Sequence, residues 1–117
     1  MSISVMQYLD ALRDGKVDFE DTMAVISENY SFTPCSFRNG IGAKMINNAV
    51  GQNEGSLKIL SFAYLNKLDK EHTLCCFGQF YKDVLETPQG KDHKNIRAFI
   101  EFGWEGVKFS SPALRLK

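Results

Sequence analysis

The chain has no apolar run of about 18 residues, so none of it reads as a membrane-spanning helix and no membrane partner is expected. Cysteine is scarce: Cys35, Cys75 and Cys76 are the three present. An odd count with two neighbours excludes a fully paired disulfide framework. Neighbours on a helix point about 100° apart and do not bridge. Reduced thiols in a cytosol are the expectation. Neither charge is in excess, with 14 basic and 14 acidic residues. A dedicated nucleic-acid binder needs a concentrated basic face, so no nucleic-acid partner is expected. Internal repeats, low-complexity stretches and interdomain linkers are absent. Met1 to Met6 has neither a basic leader nor a long apolar stretch, so no secretory signal is read there.

What is there is ordinary globular composition, 44% hydrophobic and 24% charged, over 117 residues. A domain of this size buries roughly two thirds of its unfolded surface and needs no metal or disulfide to hold a core. Nine Phe, four Tyr and one Trp supply large apolar areas for that core.

Helical periodicity dominates. Ser4 and Gln7 have capping-box spacing ahead of Val5, Tyr8, Leu9 and Leu12, so a first helix is expected over 5–13. Asp18 is the expected cap of a second, ending near Asn29. Over 30–55 the period disappears, although Lys44–Val50 has room to be a short strand. A third helix starts near Glu54. Its two apolar stripes, Leu57/Leu60/Tyr64 and Ile59/Phe62/Ala63, place it in the centre. Asp69 is expected to cap a fourth helix over 70–86, with Gly78 inside it for close helix approach. Asp92 is expected to cap a fifth, with Gly103 ending it and Trp104 folding back. The fold expected is mainly α, α+β at most: about five helices in one compact domain over 1–109. It includes a long ordered irregular segment, has room for one small two-stranded element, and ends in a trailing tail over 110–117.

Two blocks carry a resemblance. One is Asn29–Pro34, Phe37–Gly40 and Gly51–Ser56; the other is Cys76–Leu85, Asp92–Arg97 and Gly103–Gly106. In their order and spacing they resemble the HopJ type III effector family over nearly the whole chain. The stretch from Gly40 to Gly51 is a few residues longer than the family pattern, and Val50 replaces an expected Ala. Leu57 stands where a Cys is expected, so no thiol chemistry is carried onto that position. The resemblance implies a bacterial protein, named after effectors injected into plant cells, and implies no reaction for particular residues. A capped helix so near the start leaves little room for a flexible Ser-rich leader. A resident cytoplasmic role is therefore expected ahead of type III secretion.

Several polar residues invite a chemical reading. His72 and Cys76, at helical i, i+4 spacing, have metal-ligand geometry, but only Cys35 and His93 remain as further donors and no Cys-x-x-Cys exists. No metal and no cofactor are expected. Cys76, His93 and Asn53 match a papain-like inventory without any sequence evidence that they meet. Gly51–Ser56 opens a helix whose N–H groups could hold an anion, but Lys58 follows Ser56, so it is no Walker loop. Side-chain capping by Asn53 is the simpler account. The sharpest site is a polar cluster at helix starts: Asn53, Glu54, Ser56, Asp83, Asp92, His93 and Arg97, with Arg97 expected to pair with Asp83 or Glu54. Trp104, with Phe32 and Phe37, could line a groove, but core is the commoner place for aromatics and the favoured reading here. The function expected is binding of an unidentified protein or small-molecule ligand. The alternatives are a small enzyme using His93, Glu54 and Asn53 as acid, base and orienter, and an assembly protein forming a homodimer.

Overall fold

The computed structural model describes residues 4–117, so the reading of 1–3 as part of no signal lies outside the described residues. Helix α1, Val5–Arg13, opens with a reciprocal capping box. The Gln7 N–H donates to Ser4 Oγ at 3.1 Å and the Ser4 N–H donates to Gln7 Oε1 at 3.0 Å. Asp18 and Asp21 repeat the device at α2, Phe19–Asn29. The two helices are joined in the core by a 2.6 Å bond between Tyr8 Oη and Thr22 Oγ1. Thr22 itself donates to the Cys76 carbonyl at 2.7 Å, which makes Tyr8 the donor to Thr22. Burial raises the Tyr8 phenol's pKa well above its ordinary value and keeps it protonated.

Helix α3, Glu54–Leu65, is the central element: Ile59, Leu60, Phe62 and Ala63 are all fully buried. Burying each of the larger ones contributes about 1.5–3 kcal/mol. Tyr8 and Tyr30 meet the Phe62 ring edge-on at 5.4 and 5.8 Å.

The helix expected over 70–86 is two helices, α4 (Lys70–Cys75) and α5 (Gln79–Glu86). Gly78 breaks the run at φ 56, ψ −126. The cause lies across the structure. A Cβ on Gly78 would collide with the Asp18 carboxylate and the Phe19 backbone. The close approach expected of this glycine is real, but it forms at a break rather than mid-helix. Helix α6, Lys94–Phe102, ends at Gly103 (φ 60), and Trp104 folds back edge-on against Phe99 at 5.0 Å. Six α-helices thus stand among the described residues.

The strands are β1 (Tyr30–Phe32), β2 (Phe37–Asn39), β3 (Ile46–Asn48), β4 (Lys108–Phe109) and β5 (Leu114–Leu116). They form two antiparallel sheets, β1-β5 and β3-β2-β4, where one two-stranded element had been expected. A 3-10 turn at Gly42–Lys44 takes the start of the expected 44–50 strand, which shortens to β3.

The trailing end expected over 110–117 is corrected by β5, which pairs with β1 in the register Tyr30↔Leu116 and Phe32↔Leu114. Between the two sheets, the Ser110 N–H donates to the Ser36 carbonyl at 3.0 Å and the Thr33 N–H to the Ala113 carbonyl at 2.8 Å. Segments 29–38 and 108–117 therefore form one ribbon, interrupted where Pro34 and Pro112 withhold their N–H groups. Ala113 and Leu114 are each 3% exposed. Burial of this pair, invisible to a reading that stops at Pro112, holds the chain end and the irregular segment onto α3.

Candidate functional site

Helices α3 and α6 both begin in the left-handed region, at Asn53 (φ 52) and His93 (φ 49), and neither has a side-chain cap. Asn and His tolerate that region better than most residues. Two expectations are corrected here. Asn53 does not cap α3: its backbone is left-handed rather than extended, and its side chain turns to donate Nδ2–H to Asn48. Asp92 does not cap α6, because its carboxylate is held by Arg97. Uncapped, the first-turn N–H groups at both starts keep their partial positive charge.

Both starts open on one cleft of about 510 Å³. Its apolar lining comes from Phe19, Ile46, Phe77, Phe80 and Ile96. Its polar lining comes from Asn53, Ser56, Lys91, Asp92, His93, Lys94 and Asn95. The His93 ring lies 5.3 Å from that of Phe80, tilted by 38°. With Asp92 engaged by Arg97, the cleft's charged residues without an ion pair among the described residues are Lys91 and Lys94. The arrangement can hold an anionic group near the helix starts and an apolar body against the aromatic rings.

A buried asparagine network fixes the two starts relative to each other. Asn48 Oδ1 accepts from Asn53 Nδ2 at 2.7 Å and from Asn95 Nδ2 at 3.0 Å. Asn95 Oδ1 accepts from Asn48 Nδ2 at 3.2 Å and from Asn39 Nδ2 at 3.1 Å, and the Asn95 carbonyl accepts from Asn39 Nδ2 at 2.8 Å. β2, β3 and the first turns of α3 and α6 are thereby tied through side-chain amides. Of this network, sequence reasoning picked out only Asn53. In the sequence Asn39 precedes Gly40 as an Asn-Gly turn signal, and Asn48 lies within the 44–50 stretch with nothing to distinguish it. The signal available was several asparagines clustered around an otherwise apolar segment.

Arg97, its side chain 17% exposed, pairs with neither Asp83 nor Glu54. It donates to Asp92 Oδ1 at 2.7 Å and to the Asp92 carbonyl at 2.5 Å. It also reaches the Thr87 carbonyl at 2.7 Å and Thr87 Oγ1 at 3.1 Å. Arg97 thus latches the turn before α6 that carries Lys91. The guanidinium holds the Asp92 carboxyl below its usual pKa range. Asp83 is engaged on its own helix by Gln79 Nε2 at 2.9 Å, and Glu54 sits outside the cleft lining.

Trp104, Phe32 and Phe37 share no groove, and all three pack in or against the core, as the favoured reading of them had it. Trp104 donates Nε1–H to the Leu68 carbonyl at 3.1 Å, Phe37 is core, and Phe32 lies under Lys58 Nζ at 4.7 Å. Cys76 is fully buried, and burial pushes its thiol up to about 12. Its Sγ donates to the His72 carbonyl at 3.4 Å, so it lacks the base that the papain-like inventory needs. His72 Nδ1 is taken by Asp69 at 2.8 Å. Among the described residues no three His, Cys, Asp or Glu side chains gather as a metal group.

The profile of the HopJ type III effector protein family matches residues 5–114. The chain belongs to the HopJ type III effector family. The crystal structure of the unknown function protein VPA0580 has a TM-score of 0.94 and 50% identity, covering 100% of this HopJ chain and 97% of its own. No curated protein matches. Among the described residues, no helix of this HopJ protein is long and apolar enough to cross a membrane.

Proposed function

We propose that this HopJ protein is a non-catalytic binding module whose cleft takes a small molecule with an anionic head and an apolar body. One observation carries the reading: an aromatic lining and the polar starts of two helices share a single cleft of about 510 Å³. A few convergent polar groups on an apolar wall are the usual make-up of a small-molecule site. Lys91 and Lys94, unpaired among the described residues, supply positive charge at its edge. The acid–base alternative is weaker, because Glu54 lies outside the cleft and the Asn53 amide is committed to Asn48. The unpaired buried thiols Cys35 and Cys76 suit a reducing cytosol, the producing cell's own or one reached through a type III system.

Anilinonaphthalene sulfonate combines the two features in one fluorescent probe. It should bind the folded protein at one site. Phe80→Ala and Lys94→Gln should each weaken it about tenfold, whereas Trp104→Ala should leave it unchanged. Absence of binding, or binding indifferent to Phe80 and Lys94, would remove the proposal.

A further inference from the structure

The segments that form both sheets, 29–53 and 106–117, carry five of the chain's 14 basic residues and none of its 14 acidic ones. Of those five, Lys44 is paired, with Glu101 at 3.2 Å. Two others meet. Arg38 on β2 stands directly opposite Lys108 on β4, and on its other side directly opposite Asn47 on β3. Residues directly opposed in an antiparallel ladder project from the same face, with Cβ atoms about 4.5–5.5 Å apart. Arg38, Lys108 and Asn47 therefore form a row of donors across the three-stranded sheet.

Like charges so opposed destabilise a sheet. The usual relief is a carboxylate between them, and the fold supplies none. Among the described residues neither the Arg38 nor the Lys108 side chain makes an ion pair or hydrogen bond. Both are exposed. The row lines a cleft of about 480 Å³ that includes Ser36 and Ala49 and has no acidic residue in its walls. It shares no lining residue with the cleft at α3 and α6.

We infer that Arg38, Lys108 and Asn47 form an oxyanion site for a phosphate group, distinct from the cleft at the helix starts. A guanidinium fork takes two phosphate oxygens, and an ammonium beside it adds a point charge and a further donor. The Asn47 amide provides a neutral donor. A phosphate dianion neutralises both cations, so its binding relieves the repulsion built into the empty row. The phosphate is that of a soluble phosphorylated molecule or of a lipid headgroup.

Pyrophosphate titrated by calorimetry tests the soluble source. Cosedimentation with phosphatidylcholine vesicles, with and without phosphatidic acid, tests the lipid source. Arg38→Gln and Lys108→Gln should each lower affinity for the responding probe at least about tenfold, and Lys91→Gln with Lys94→Gln should not. Without anion, Lys108→Gln should melt about 1–5 °C above the unmodified protein, since it removes a like-charge opposition. Pyrophosphate should raise the melting temperature of the unmodified protein and not that of Lys108→Gln. Response to pyrophosphate supports the site with a soluble source; response to phosphatidic acid vesicles alone supports it with a lipid source. Response to neither probe overturns it. So does affinity that ignores Arg38 and Lys108 or follows Lys91 and Lys94.

Discussion

The backbone N–H of Gln79 donates to Asp18 Oδ1 at 2.8 Å across 61 residues of sequence. The same oxygen accepts the Phe19 N–H at 2.7 Å, so one carboxylate serves the starts of α2 and α5. Gly78 makes this possible by bringing its backbone against Asp18 with no side chain between. Gly78→Ala meets both a positive φ and occupied space, and although the Asp18 carboxylate could swing away, the Phe19 N and Asp18 Cα cannot. The expected loss is about 3 kcal/mol or more in urea denaturation. A loss under about 1 kcal/mol would mean that α4 and α5 join without the break.

Acid should weaken that junction. The Gln79 N–H first, and the Phe19 N–H second, hold the Asp18 carboxyl below its ordinary pKa. A lowered folded-state pKa gives stability that is present above the unfolded value, about pH 4, and lost as pH falls through the folded value. Asp18→Asn keeps an acceptor oxygen and removes the charge. The stability gap between the unmodified protein and Asp18→Asn, followed as melting temperature against pH, should be widest near neutrality and close below about pH 4. A gap that stays constant down to acid would show that the charge contributes nothing.

The asparagine network predicts coupling. Asn48→Ala leaves the buried Asn95 Nδ2 without its acceptor and frees the exposed Asn53 amide to water, a loss of about 1–3 kcal/mol. Asn95→Ala does similar damage to Asn39 and Asn48. Because the two residues share bonds, the double variant should lose less than the sum of the singles by about 1 kcal/mol or more. Strict additivity would mean that the amides are independently solvated.

What could be read from the chain alone divides along a physical line. Helices α1, α2 and α3 were legible because Ser4, Asp18 and the apolar stripes of α3 act within one or two turns. The break at Gly78 was not, since Asp18 causes it from another helix. The strand at Leu114 was hidden by Pro112 and by a partner, Tyr30–Phe32, far away in sequence. For the site, the sequence pointed to Asn53, Ser56, Asp92 and His93, which do share a cleft. It also offered Asp83, Glu54, Arg97 and Trp104, which do not line it. Local polarity at a helix start is visible in sequence; which starts face each other is decided by β2, β3 and their asparagines.

Arg97 should govern the order of the cleft's edge. Four of its bonds run to Thr87 and Asp92, at either end of the turn that holds Lys91. Two of the four acceptors are backbone carbonyls, so lysine, with a single compact ammonium, cannot replace the planar fork. Arg97→Lys should leave α6 folded, because Ile96 and Phe99 still bury their side chains. Amide hydrogen exchange over 88–93 should accelerate while exchange in α3 stays slow. Probe binding at the cleft should weaken in the same variant, because the turn that carries Lys91 loses its anchors at Thr87 and Asp92. Unchanged exchange over 88–93 would show that the turn holds its shape without the guanidinium.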